Sequence, residues 1–324
     1  MGDDSKKYMN ARVYEKIVVP YDGLAKTTGS VRWASRVAQS LGAHLFVVHI
    51  VSNKTVQTVM EERDVGSLEE AHEYCRKHYS RSFANLESIS RPDVKCTMEV
   101  AFGASSAEGI VDFCHSNTVD LVVTRCPTNI SSLKTTLPQH VISNSDIDCL
   151  MYKHGANSSR SGMLVLIPVD NRKGTMPCVC RGISIARGFS GKVLFYYSVE
   201  HELPFTRHQC PDEVRQNLDY AEKLAADAGV DYEILLESKP FVEGIVETAV
   251  GMDVDLIVMK DFSKEYLMGS VGSVLKSDTG GISREDLYFG SAAILVDERC
   301  AHNFLYTKER RKESVCSGCQ ACNR

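Results

Sequence analysis

Lys16-Ile17-Val18-Val19-Pro20-Tyr21-Asp22-Gly23 returns later in the chain as Ile17's counterpart Val165 onward, Val165-Leu166-Ile167-Pro168-Val169-Asp170-Asn171, an apolar run closed each time by Pro-x-Asp. The two aspartates are 148 residues apart (170 − 22 = 148). The same offset holds through the next segment, which ends at Val51 in the first copy and Val199 in the second (199 − 51 = 148). Further on, Glu108-Gly109-Ile110-Val111-Asp112 pairs with Glu243-Gly244-Ile245-Val246-Glu247, and Val119-Asp120-Leu121-Val122-Val123 with Val254-Asp255-Leu256-Ile257-Val258. Both matches share an offset of 135 (243 − 108 and 254 − 119), so the second copy has lost about 13 residues in between. Two matches at one offset identify a unit that the chain contains twice.

Within each copy the periodicity alternates. Residues 17–20 form a continuous apolar run, as a strand buried on both faces requires. Val31, Ala34, Val37, Ala38 and Leu41 then recur at helical spacing, and Gly42 supplies a stop. Further strands are expected at 45–51, 94–100, 120–124 and 149–153, with helices at 67–88 and 105–116. The second copy gives strands at 163–168, 192–199, 231–237, 255–260 and 292–297, and helices at 177–189, 211–228 and 242–250. Alternating apolar strands and helices predict an α/β chain of two tandem, doubly wound, Rossmann-like parallel sheets. The expected organisation is an N-terminal extension (1–12), domain 1 (13–153), a small polar linker (154–162), domain 2 (163–298) and a Cys-containing tail (299–324).

The totals agree with two cores. The chain has 324 residues, 43% apolar and 24% charged. A net charge of −5 and a pI near 6.1 argue against a general nucleic-acid-binding surface. No apolar stretch reaches the roughly 20 residues of a membrane helix, and the start MGDDSKKYMN has no apolar run of the secretory kind. A cytoplasmic location follows as the expectation, in which the 12 cysteines stay reduced and mostly pack as small hydrophobes.

Both copies resemble domains of the universal stress protein family, from residue 13 to residue 297. The marks are Pro-x-Asp after strand one, Val47-Val48-His49-Ile50 closing strand two, and acidic-Gly-Ile-Val ahead of Val-Asp-Leu-Val/Ile-Val. Members that bind ATP carry Gly-x2-Gly-x9-Gly-Ser/Thr after strand four, where glycines admit backbone N–H groups to phosphate. This chain departs from that signature twice. Copy one has no glycine there, and Thr135-Thr136 stand at the Gly-Ser step. Copy two keeps Gly269-Ser270, but Lys260, Asp261 and Lys264 replace the earlier glycines. The resemblance implies a site for AMP or ATP, the latter with Mg²⁺, in domain 2 at Pro168, Asp170, Ser198, Lys260, Gly269 and Ser270. The weaker domain 1 equivalents are Pro20, Asp22, Ile50, Thr135 and Thr136. Asp22 and Asp170 read equally well as turn-forming residues at helix starts. In the family, domains pair through their last strands, which implies an intrachain pseudo-dimer and a homodimer or protein partner.

Outside that resemblance, Cys316-Ser317-Gly318-Cys319-Gln320-Ala321-Cys322 has C-x2-C spacing suited to zinc or the start of an iron–sulfur motif, with Cys300 or His302 as a further ligand. A solvated tail whose thiols simply oxidise fits the same residues. Cys178 and Cys180, two apart on a helix, point to different faces, and Cys178 reads as packing. His49 reads as a core histidine. Nucleophile elbow, HExxH and Walker loop are all missing from the sequence, so no catalytic residue is assigned. The leading expectation is a stress-response or signalling protein acting by binding. The alternatives are a redox or metal sensor through the tail, and a slow ATPase.

Overall fold

The computed structural model describes residues 13–86, 91, 93–126, 137–153, 162–170, 175–198, 210–260 and 302–308. They fall into two compact units, one of residues 14–154 without 129–133, the other built on residues 155–324.

In the first unit, β1 (Lys16–Pro20), β2 (His44–Ser52), β3 (Cys96–Gly103), β4 (Leu121–Arg125) and β5 (Asp148–Tyr152) form a parallel sheet in the order β3-β2-β1-β4-β5. Ile17, Val18 and Val19 are fully buried at its centre. The helices are α1 (Ala25–Leu41), α2 (Asn53–Arg63), α3 (Leu68–Tyr79), α4 (Ser106–Asn117) and α5 (Leu137–Asn144), with a 3-10 stretch at Ser80–Leu86. The apolar stripe of α1 is buried at Val31, Ala34, Val37 and Ala38. Gly42 ends that helix at φ 64, a conformation that costs glycine nothing.

The long charged helix expected at 67–88 is divided into α3 and the 3-10 stretch. Helix α2 is an element the periodicity did not predict. It buries only Val56, so its apolar pattern is too sparse to register, and it starts because the Ser52 hydroxyl accepts from Thr55 N at 3.2 Å.

The second unit repeats the plan. Strands β6 (Leu164–Pro168), β7 (Lys192–Ser198), β8 (Asp231–Glu237), β9 (Leu256–Lys260) and β10 (Asn303–Thr307) are parallel in the order β8-β7-β6-β9-β10. Helices α6 (Thr175–Gly188), α7 (Asp212–Asp227) and α8 (Phe241–Gly251) belong to the same unit. Pro20 sits opposite Val48, and Pro168 opposite Tyr196, the same register 148 residues on (168 − 20 and 196 − 48).

One expectation is corrected here. The strand beside β9 is Asn303–Thr307, within the segment read as a tail, and not 292–297, which lies outside the described residues. Phe304, Leu305 and Tyr306 are at most 2% exposed. Asn303 Nδ2 donates to the Asp255 carbonyl at 3.1 Å, and Thr307 Oγ1 to the Met259 carbonyl at 3.4 Å. Both apolar runs have β character, and strand propensity alone does not choose between them.

The Val-Asp-Leu repeat has a structural cause. Asp120 Oδ2 accepts from the backbone N–H groups of Glu15 and Lys16 at 2.9 and 3.0 Å, and Asp255 Oδ2 from that of Leu164 at 2.8 Å. Each carboxylate therefore ties the start of the fourth strand of its sheet to the start of the first. Two residues before them, Thr118 and Asp253 both have a φ of 52. Thr118 is the residue that caps α4, whereas α8 is capped by Met252 at φ −99, one residue ahead of Asp253.

Candidate ligand cleft

Strand order reverses at the first strand of each sheet: β2 and β3 lie on one side of β1, β4 and β5 on the other, and likewise around β6. In open parallel sheets a crevice forms at that reversal, beyond the carboxyl ends of the strands, and ligands bind there. In the second unit a cleft at this place is lined by Pro168, Asp170, Thr175, Cys178, Phe241, Met259 and Lys260. Pro168, Met259 and Lys260 end β6 and β9. Thr175 and Cys178 belong to the first turns of α6, and Phe241 opens α8. The cleft is partly open, and between these walls lies about 20 Å³, room for about one water molecule.

Asp170 is held from two sides. Its Oδ1 accepts from the Thr175 hydroxyl, and its carbonyl from Asn217 Nδ2 at 2.7 Å. The expected site residues Pro168, Asp170 and Lys260 are thus brought together around one space. Ser198 belongs to a neighbouring arrangement: its hydroxyl donates to the Lys239 carbonyl and accepts from the Lys239 N–H at 3.2 Å. Gly269 and Ser270 lie outside the described residues.

Cys178 is 2% exposed and hydrogen-bonded to Thr307 Oγ1 at 2.9 Å. It packs, as read, and it also lines the cleft. Thr175, Phe241 and Met259 were missed by sequence reasoning. Nothing marks them in isolation, although their closeness to strand ends and helix starts was the available signal.

In the first unit Asp22 behaves as a turn residue. Its Oδ1 accepts from Leu24 N at 3.0 Å and from the Thr27 hydroxyl at 2.6 Å, fixing the entry to α1. Ile50, at the end of β2, packs its Cγ2 against Gly109, and a Cβ at Gly109 would lie 2.6 Å from it. His49 is half-buried and stacked on Tyr79, ring centroids 4.4 Å apart, with its Nδ1 buried and lacking a hydrogen-bond partner. Burial lowers its pKa, with His78 acting the same way, while the Tyr21 carbonyl and Asp22 oppose. Thr135 and Thr136 lie outside the described residues, as do Cys300, Cys316, Cys319 and Cys322. Among the described residues no group of three or more His, Cys, Asp or Glu could hold a metal ion, and no helix is long and apolar enough to cross a membrane.

These features define a doubly wound α/β protein with its crevice at the switch point. Residues 13–153 match the model of the universal stress protein family, and the chain carries a domain of that family over this span. A universal stress protein from Archaeoglobus fulgidus is similar in fold at 13% identity, with a TM-score of 0.60, over 90% of this chain and 96% of that one. A universal stress protein from Pseudomonas aeruginosa, described as putative in its structure, gives 14% identity and a TM-score of 0.53 over 92% and 94%. No curated protein matches the sequence.

Proposed function

We propose that this is a cytoplasmic protein of the universal stress type that binds an adenine nucleotide, AMP or Mg²⁺-ATP, in the cleft of its second domain and acts through occupancy rather than turnover. The observation that carries this reading is the position of the cleft, between the carboxyl ends of β6 and β9 where strand order reverses. Its chemistry fits: Lys260 offers a cation for phosphate, and Asp170 an acceptor for sugar hydroxyls. The partner that reads the occupied state is a protein, or a second copy of this chain.

A nucleotide needs a space of several hundred Å³, against the roughly 20 Å³ between the described walls of this partly open cleft, so the proposed bound form is one in which the cleft is wider. The test is to denature the purified protein, analyse released nucleotide, and titrate the full chain with AMP and ATP by calorimetry. Binding that weakens at least ten-fold in Lys260→Ala supports the reading, a charge-assisted contact being worth about that factor. Absence of binding at millimolar ligand rejects it.

A further inference from the structure

The two units hold the helix after their third strand in different ways. In the first, Ser105 caps α4: its Oγ accepts from Glu108 N at 3.2 Å and donates to the Glu108 carboxylate at 3.1 Å. In the second, the position corresponding to Ser105 is Pro240 (240 − 135 = 105), which makes no side-chain cap on α8. The lead-in to α8 is tied to the sheet instead. The Ser198 hydroxyl at the end of β7 engages both the N–H and the carbonyl of Lys239. Lys239 Nζ in turn lies 2.9 Å from Glu247 on α8 and 3.4 Å from Glu237 at the end of β8. The first unit has Ile50 and Ala104 at the corresponding positions (198 − 148 and 239 − 135), which carry neither hydroxyl nor charge.

Two residues beyond Lys239 stands Phe241, a wall of the cleft. We infer that Ser198 is a positioning residue: through Lys239 it fixes the start of α8 so that Phe241 narrows the cleft, and release of this clasp opens the cleft to ligand. The inference rests on the proposed site but has its own readout. Cys178 lines the same space at 2% exposure, so its thiol reports opening directly, with no nucleotide present. An open form that is rarely populated also lowers apparent affinity in proportion, so weakening the clasp favours binding.

The experiment uses the full-length chain, wild type, Ser198→Ala and Ser198→Thr. Alkylation by iodoacetamide is followed by peptide mass spectrometry at Cys178, with buried Cys210 of the same unit as internal reference. Losing the hydroxyl's hydrogen bonds should speed Cys178 alkylation on the order of five-fold in Ser198→Ala, with Cys210 unchanged and Ser198→Thr near the wild-type rate. AMP association, measured by stopped flow, should rise by the same factor. An unchanged Cys178 rate, a parallel rise at Cys210, or slower AMP association in Ser198→Ala overturns the clasp. If Cys178 responds as expected and AMP binds none of the three proteins, the clasp is upheld and the nucleotide reading is the one that fails.

Discussion

His49 ends an apolar run, and its reading as a core residue describes only half of its position. The ring is stacked on Tyr79 and its Nδ1 is buried without a partner. A protonated ring would carry its charge into a half-buried place. Burial therefore holds the pKa below the ordinary value of about 6.5, despite the Tyr21 carbonyl and Asp22 nearby. The unfolded chain takes up a proton that the folded chain refuses, so the linkage has one sign. Stability of the first unit is fully present above pH 7 and declines as pH falls below about 6.5. His44, lowered by burial and then by Lys95 and Lys16, adds to the same trend. Thermal midpoints at pH 8 and pH 5.5 check this: the loss on acidification should be smaller in His49→Gln than in wild type, and equal losses count against it. The Pro-x-Asp aspartates were legible as turn residues. The missing partner of His49 Nδ1 was not, because it depends on Tyr79, 30 residues away (79 − 49 = 30).

At the scale of elements, the glycine of the acidic-Gly-Ile-Val motif marks where a helix lies closest to its sheet. A Cβ at Gly244 would fall 1.8 Å from the Tyr196 hydroxyl, and one at Gly109 2.6 Å from Ile50 Cγ2. Tyr196 has little room to withdraw: it is fully buried, its hydroxyl donating to Glu237 at 3.3 Å, and burial pushes its own pKa up to about 12. Gly244→Ala should cost about 1–3 kcal/mol by overpacking. Adding Tyr196→Phe should recover part of that cost, because it removes the nearest clashing atom. Urea unfolding of both single variants and the double variant, treated as a cycle, checks the coupling. A double variant that shows only the sum of the two single losses would count against the contact. The motif could be matched between copies from sequence alone, but its reason lies in a side chain of another element, tyrosine in one copy and isoleucine in the other.

At the scale of the whole molecule, the location of β10 decides what truncation does. Stopping the chain after Glu298 removes Phe304, Leu305 and Tyr306 from the second core, whereas stopping after Lys308 leaves them in place. Burial of three such side chains is worth about 1.5–3 kcal/mol each, enough to unfold a marginally stable domain. The shorter chain should therefore lose resistance of residues 163–260 to limited proteolysis, and the longer one should keep it. Equal resistance would place β10 outside the second core. The chain that stops after Lys308 also lacks Cys316, Cys319 and Cys322 and keeps β10. A metal or redox response that survives it does not belong to those thiols.

The repeat, the alternation of apolar strands with helices and the two parallel sheets were determined by the sequence itself, because burial on both faces and helical periodicity are local constraints repeated at fixed offsets. Pro168, Asp170 and Lys260 were put forward as site residues by the family resemblance, and they line one cleft. Only the tertiary structure decided which of two apolar runs closes the second sheet, that Phe241 and Cys178 share a wall with Asp170, and that Ser198 is engaged by Lys239. These depend on contacts between segments distant in the chain, where the deciding quantity is which surfaces exclude water together, and no short window of residues carries that information.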